Sequence, residues 1–375
     1  MERKVPIFKF SQKNHSIGVE KEINNKIRED FMKRTFSASV VFFATMFVLA
    51  ALTGFQSGCR SNPTSSTETS AGTYSGTLKL GHMVGTCMSS LFIAHDQGLF
   101  ADEGLKTELV WTPNPGDAVT MLNSSGLSIW NGPFPSVYLS VAQGADLKII
   151  AGSGKHGLVC LARPELNVKS IDDLIKLKGK GIKVGTQRTS TIELNWYSLI
   201  SARNMSYADF DMKFFFDTLT PVTAFQNKEI DIIAHVEPYA TLISNKYGGV
   251  RIGDSVEAWG EGSPDCVVSV KADFLKKYPV TVKKYIRALL RADAYIKEDM
   301  TRAVGILDAG KHFKVDKETL AEALPHQPPG VDLRRGLPGL QKAVGDMVKL
   351  GYIKSIPSGV VDLSILEEVT KEAVK

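Results

Sequence analysis

The chain is poor in cysteine: its 375 residues hold four, Cys59, Cys87, Cys160 and Cys266. None has the Cys-x-x-Cys spacing of a zinc or dithiol-redox site. It also lacks a Gly-x-Ser-x-Gly elbow, a His-Glu-x-x-His pair, a phosphate-binding loop and a paired-carboxylate arrangement, so hydrolase, zinc peptidase and nucleotide-cleaving readings lose their usual residues. A long apolar run is missing as well. Val40 to Leu52, VVFFATMFVLAAL, stops at thirteen residues, short of the roughly 20 that a membrane-spanning helix needs. Excess positive charge is more apparent than real. Of the net +5, residues 1–58 carry +4, from nine Lys/Arg against five Asp/Glu, leaving +1 for residues 59–375. A nucleic-acid partner therefore has little electrostatic support.

What is present at the N-terminus reads as an export signal. Met32-Lys33-Arg34 precede the thirteen-residue apolar core, and small residues follow it, the order of a secretory signal peptide. Ser57-Gly58-Cys59 resemble the lipobox of bacterial lipoproteins, in which the cysteine is acylated and becomes the new N-terminus. Gln56 departs from the aliphatic residue usual there, so an ordinary cleaved signal peptide or an uncleaved anchor stands as the alternative. With Cys59 assigned to lipid, an odd three cysteines remain, which suits an exported protein that does not rely on disulfides. The expected segments are a polar extension over residues 1–31, the signal peptide over 32–58, a lipidated cysteine and Ser/Thr-rich flexible tether over 59–76, a first lobe over 77–161, a second over 162–262, and a return strand with C-terminal helices over 263–375.

From Thr77 short β-branched runs alternate with helical stretches, the pattern of an α/β fold with mostly parallel sheets. TLKLGHM, TELVWT, LSIWNG and LKIIAGS read as strands, as do GIKVGTQR, KFFFDTL and IDIIAHV in a second set. The sets echo each other: Leu78-Lys79-Leu80-Gly81 corresponds to Ile182-Lys183-Val184-Gly185, and Val119-Thr120 to Val222-Thr223. Two similar lobes follow from that spacing. Thr220-Pro221 reads as an N-cap and first-turn pair, and Ser170 to Asp173 has capping-box spacing. CVVSVK, with no partner nearby, is expected to return to the first sheet. Beyond Pro279 the chain is helical or irregular, with Val282, Tyr285, Ile286, Leu289, Leu290, Ala292 and Ile296 close to a 3.6-residue period.

Four stretches, in order, resemble one family. LFIAHDQGLFADEGLKTELVW, NVKSIDDLIKLKGKGIKVG, TPVTAFQNKEIDIIAHVEPYATLI and VSVKADFLKKYPVTVKKYIRALLRADAYI are similar to segments of the nitrate/sulfonate/taurine-type periplasmic solute-binding proteins of ABC transporters. Together they cover roughly residues 77–310. The resemblance implies a two-lobed periplasmic binding protein of type II, closing on its ligand by hinge motion. It implies a small-molecule solute, an ABC permease and ATPase as partners, a membrane attachment through lipidated Cys59 at the periplasm or cell surface, a monomer, no cofactor and no enzymatic activity. The related thiamin-pyrimidine synthases use the same fold for chemistry, but their cysteine-rich run has no counterpart here.

Ligands of open α/β sheets sit beyond the C-terminal ends of strands, near helix N-termini. The residues in those places are His82, Met83, Trp130, Asn131, Ser153, His156, Arg188, Thr189, Ser190, Thr191, His235 and Glu237. Most have a plainer reading, but Asn131 is hard to explain as core. Thr189 to Thr191 cap a helix, Trp130 is core, the charged side chains Lys155, His156 and Arg188 are solvated, and Glu237-Pro238 opens a helix. His82 and His235 read as counterparts in the two lobes. Asp265 meets a ligand amine or ends a turn. A soft-metal reading gathers His82, Met83, Cys87, Met88, His235 and Cys266, whose spacing matches no ligand motif. His156 and Arg188 favour an oxoanion such as a sulfonate, while Trp130, Trp196 and Tyr239 would stack on a flat heterocycle. The anion is narrowly preferred.

Overall fold

The structure, a computed structural model, describes residues 72–372. The polar extension, the signal peptide, Cys59 and most of the tether lie outside the described residues. The tether expected to run to Gly76 ends sooner. Val280 N–H donates to Gly72 O at 3.1 Å, Tyr74 N–H donates to Thr281 Oγ1 at 2.8 Å, and the Tyr74 ring meets that of Tyr278 at 5.1 Å.

Ten strands form two five-stranded sheets. They are β1 (Thr77–His82), β2 (Lys106–Trp111), β3 (Ile129–Gly132), β4 (Leu147–Gly152), β5 (Leu158–Ala162), β6 (Lys183–Gln187), β7 (Asp211–Phe215), β8 (Ile232–Val236), β9 (Val250–Asp254) and β10 (Val267–Lys271). The sheet orders are β2-β1-β3-β10-β4 and β7-β6-β8-β5-β9. Sequence reading places seven of these strands and the return of β10, and misses β5 and β9. Both are short, and β5, LVCLA, is buried at every position, so it carries no alternation to betray a strand.

The lobes repeat one another in register. Leu80 pairs with Ile129 across β1 and β3, and Val184 pairs with Ile232 across β6 and β8. The internal repeat seen in the sequence is therefore a repeat of pairing. Each lobe also receives one antiparallel strand from the other side of the crossover: β5 enters the second sheet beside β8 and β9, and β10 enters the first beside β3 and β4. The boundary expected after residue 161 consequently falls inside a second-lobe strand, and the crossover lies at residues 153–157.

The C-terminal helices, which the sequence reading assigned to neither lobe, serve both. The helix Pro279–Glu298 packs on Ser89–Asp96 and Leu99–Asp102 of lobe one, burying Val282, Tyr285, Ile286, Leu289, Ala292 and Ile296 as the period requires. The helix Leu337–Lys349 instead packs on Thr191–Ser201 of lobe two, where Asp346 accepts from Ser198 Oγ. Lys317–Ala323 packs on Tyr239–Tyr247, and Asn245 Nδ2 donates to Glu322 Oε2 at 2.7 Å.

Three chain segments cross side by side between the lobes. Ser153 N–H donates to Cys266 O (3.0 Å), Asp265 N–H to Gly154 O (2.9 Å), and Gly330 N–H to Ser153 O (2.8 Å). At their centre is the carboxylate of Asp265, fully buried, accepting from Gly157 N–H at 2.7 Å and from Gln327 Nε2 at 2.7 Å. Gly154 has to be glycine, since a Cβ there would lie 2.4 Å from the Cα of Cys87. Asp265 thus neither meets a ligand nor merely ends a turn; it joins the crossing strands.

Burial pushes the Asp265 carboxyl up from 3.8 to about 6, against the pull of its hydrogen bonds. Because the folded state holds this proton more tightly, its contribution to stability is favourable below the unfolded value and is lost as pH rises through the folded one. The loss is on the order of 3 kcal/mol. Asp265→Asn keeps an acceptor for both donors and removes the charge. Its unfolding free energy relative to wild type, measured by urea at pH 4 and pH 7, is expected to rise by a few kcal/mol between them. An offset that is the same at both pH values would refute this account.

Candidate functional site between the lobes

The facing ends of the two sheets are built alike. In lobe one the chain leaves β1 through Met83 and Gly85 into a tight helical turn, Thr86–Met88, and then the helix Ser89–Asp96. In lobe two it leaves β6 through Arg188 and Thr189 into the helix Thr191–Ser201. Ser190 caps that helix, accepting from Glu193 N–H at 3.4 Å, while Glu193 Oε2 accepts from Thr189 N–H at 2.6 Å. Thr189 sits at φ 56°, the left-handed turn that aims the helix start at the opposite lobe. Glu193 is itself buried, which raises its carboxyl pKa, and it also accepts from Tyr352 OH at 2.5 Å.

The lobes stand closed. Thr86 N–H donates across the gap to Glu237 O at 2.8 Å, and Ser136 Oγ to Thr189 O at 3.1 Å. Between them remains a cavity of about 20 Å³ lined by Met83, Gly85, Cys87, Pro133, Leu158, Gln187, Thr191, Ile192, Thr218, Val236 and Cys266. That is room for roughly one water, so a larger solute must hold the lobes further apart. The walls are mostly apolar, and among the described residues no Lys, Arg or His lines them.

Two polar atoms on these walls have no partner. Gln187 Oε1 and Thr218 Oγ1 are buried and unbonded, whereas Gln187 Nε2 points to Phe216 O at 3.5 Å. A buried polar atom left unbonded costs about 1–3 kcal/mol, so two lining one cavity mark a place built to receive hydrogen-bonding atoms. A wider groove of about 410 Å³ also spans the lobes, from Asn114, Gly116 and Ser136 to Arg188, Thr189 and Phe216.

Of the residues singled out from sequence, Met83 and Thr191 line the inner cavity, and Arg188 and Thr189 line the outer groove. Arg188 is committed to its own lobe, lying over the Phe214 ring at 4.1 Å and 3.9 Å from Glu193. Ser153 flanks the cavity without lining it, its Oγ donating to Cys87 O at 2.5 Å. His156 faces the crossover, where its Nε2 accepts from Gly262 N–H at 2.8 Å, and burial lowers its pKa.

The rest belong to the framework. Asn131 exchanges hydrogen bonds with Tyr285 OH at 2.9 and 3.2 Å, which explains a buried amide that looked unsuited to a core. Trp130 is fully buried, with its ring against Gly132. Trp196 packs on Phe210 and Tyr239 on His235, so none of the three aromatic rings lines the cavity for stacking. His82 and His235 are not counterparts: the strand registers align His82 with Thr186 and His235 with Gly132. His235 Nε2 lies 2.7 Å from Thr218 O and Nδ1 3.2 Å from Val236 O; burial lowers its pKa, and the neutral ring donates to one of the two carbonyls. His82 packs edge-on to Phe92. The Glu237 carboxylate turns to Arg251 at 2.5 Å and caps Thr241 N–H at 2.9 Å, with Pro238 one residue ahead of the helix instead of inside it. Leu219, not Thr220, is the cap position of the helix Thr220–Gln226, and Asp217 accepts from the N–H groups of both. Among the described residues no group of three or more His, Cys, Asp or Glu is placed to hold a metal.

Thr218 was missed, and Gln187, in the strand-end stretch Gln187 to Thr191, was not singled out, because their sequence context, a loop and a strand end, is that of any polar residue. Only their lack of partners distinguishes them.

Two α/β lobes joined by paired crossovers, with a cleft at the strand ends, form the periplasmic binding protein fold. Residues 72–306 match the NMT1-like family, and the chain belongs to it. A binding protein of Bacillus subtilis strain 168, YtlA, is 26% identical over 226 residues, spanning 57% of this chain and 65% of that protein. The alkanesulfonate-binding protein SsuA of Xanthomonas axonopodis pv. citri, in a structure bound to MOPS, shares the fold with a TM-score of 0.65 at 16% identity, over 76% of this chain and 98% of that one. The periplasmic nitrate-binding protein NrtA of Synechocystis PCC 6803 shares it at 0.67 and 18%, over 79% and 88%.

Asn131→Ala strands Tyr285 OH in the core and is expected to cost about 1–3 kcal/mol of stability, read by urea unfolding, with the ligand affinity of the folded protein unchanged. A loss of affinity at unchanged stability would return Asn131 to the site.

Proposed function

We propose that this protein is an extracytoplasmic solute-binding protein that captures a small organic molecule between its lobes and presents it to an ABC permease with its ATPase. In this reading it works as a monomer held to the membrane through Cys59 and performs no chemistry on its ligand. Family membership and the closed two-lobe architecture support the capture role.

The ligand reading rests on one observation: the inner cavity offers Gln187 Oε1 and Thr218 Oγ1 unbonded on mostly apolar walls. An amide oxygen can only accept. The fitting solute has an apolar body and at least one N–H or O–H donor, as in an amino- or hydroxy-substituted heterocycle. A bare oxoanion, the narrow preference from sequence, offers acceptors alone. It stays as the second reading because Thr191 and Ile192, at the positive end of the helix Thr191–Ser201, also line the cavity and bring N–H groups with them.

The test pairs substitution with ligand screening. Gln187→Leu and Thr218→Val each delete an unbonded atom, so both are expected to leave the unliganded protein as stable or more so while weakening binding about tenfold, the worth of one hydrogen bond. Thermal-shift titration of wild type with aminopyrimidines, alkanesulfonates and nitrate chooses the class, since a ligand at about 100 times its Kd adds roughly 2.7 kcal/mol. A shift with sulfonate or nitrate that survives both substitutions would overturn the donor reading in favour of the anion.

A further inference from the structure

Cys87 and Cys266 are 179 residues apart in the chain, yet their Sγ atoms stand 3.0 Å apart. Both are buried, and both line the inner cavity. Cys87 lies in the turn Thr86–Met88 of lobe one, and Cys266 at the end of the crossover that leads into β10. One residue holds them together: Ser153 Oγ donates to Cys87 O at 2.5 Å, and Ser153 N–H donates to Cys266 O at 3.0 Å. Cys160, the other described cysteine, lies apart in β5, where its sulfur accepts from Asn195 Nδ2 at 3.7 Å.

Two chemistries are open to a pair of thiols. A tetrahedral metal at about 2.3 Å from each sulfur would need the sulfurs about 3.8 Å apart and further ligands beside them, and among the described residues no group of three or more His, Cys, Asp or Glu is placed to hold a metal. A disulfide needs about 2.05 Å, an approach of roughly 1 Å within a wall that already moves with the lobes. We propose that Cys87 and Cys266 are a modification site that closes to an intramolecular disulfide when the protein meets a disulfide oxidant such as oxidised glutathione.

The step balances without any other reagent. One cysteine, as thiolate, attacks the oxidant and releases one thiol; the second attacks the resulting mixed disulfide at the protein sulfur and releases the other. Two protons and two electrons leave the protein, and one oxidant disulfide becomes two thiols. Burial raises the Cys266 thiol pKa, and the neighbouring Cys87 raises it further, so the reactive thiolate forms when the lobes open and water reaches the pair. The bond ties the cleft turn to the crossover strand and removes two S–H groups from the cavity wall. The pairing of the two thiols depends on neither the ligand nor the transport role.

The full-length chain, first reduced and then incubated with oxidised glutathione, is unfolded in N-ethylmaleimide and mapped by peptide mass. The expected result is a Cys87–Cys266 linked peptide, two hydrogens lighter than its parts, with Cys160 alkylated and the link reversed by dithiothreitol. Cys160→Ala is expected to leave the link intact, and Cys87→Ser to free Cys266 for alkylation. Alkylation of both positions in the oxidised wild type, glutathione retained on either, or a link from either to Cys160 or Cys59 would overturn the proposal; the wild-type map decides even if a variant fails to fold.

Discussion

The buried carboxylate of Asp265 joins the chain segments that cross between the two lobes. It lies where three chain segments cross, and it accepts from Gly157 on one crossover and from Gln327 on the C-terminal segment. A carboxylate taken out of water is costly unless its lone pairs are used, so these donors have to stay in place. That requirement fixes the crossovers beside each other, which in turn lets β5 and β10 enter opposite sheets. Asp293 adds a second tie of the same kind, accepting from Val331 N–H at 3.1 Å and from Ser90 Oγ, and burial likewise brings its pKa to about 6.

Around that fixed crossing the cleft is free to change. Hydrogen bonds across it end on backbone carbonyls, Glu237 O and Thr189 O, each accepting from the opposite lobe, and the rings of Phe134 and Trp259 meet across it at 6.3 Å. Such bonds are readily exchanged for water when the lobes part, because each contributes only about 0.5–1.5 kcal/mol net. The helices Leu337–Lys349 and Lys317–Ala323 ride with lobe two while Pro279–Glu298 rides with lobe one, so the C-terminal chain also spans the moving boundary.

Much of the fold was legible because its signals are local. Period-two runs, helix starts such as Ser170 to Asp173, and the apolar stripe from Val282 to Ile296 report conformation within a few residues of themselves. The repeat between Leu80 and Val184 was legible for the same reason, being a copy of such signals. The site was less so. His235, Asn131 and Glu237 have the residue types of a binding site, yet each is satisfied by a partner distant in sequence: Thr218, Tyr285 and Arg251. Gln187 Oε1 and Thr218 Oγ1 belong to ordinary residue types and have no partner. Polarity is written in the sequence, and satisfaction is not.

The sequence by itself determined the α/β class, the two-lobe repeat and the return of β10, since hydrophobic period and capping act over short distances along the chain. Only the tertiary structure decided which polar groups face the cleft, that Asp265 belongs to the crossing, and that Cys87 meets Cys266. Those outcomes depend on where remote segments come to lie. Two thiols 179 residues apart are brought to 3.0 Å by the pairing of the crossover strands, a distance that no spacing along the chain encodes.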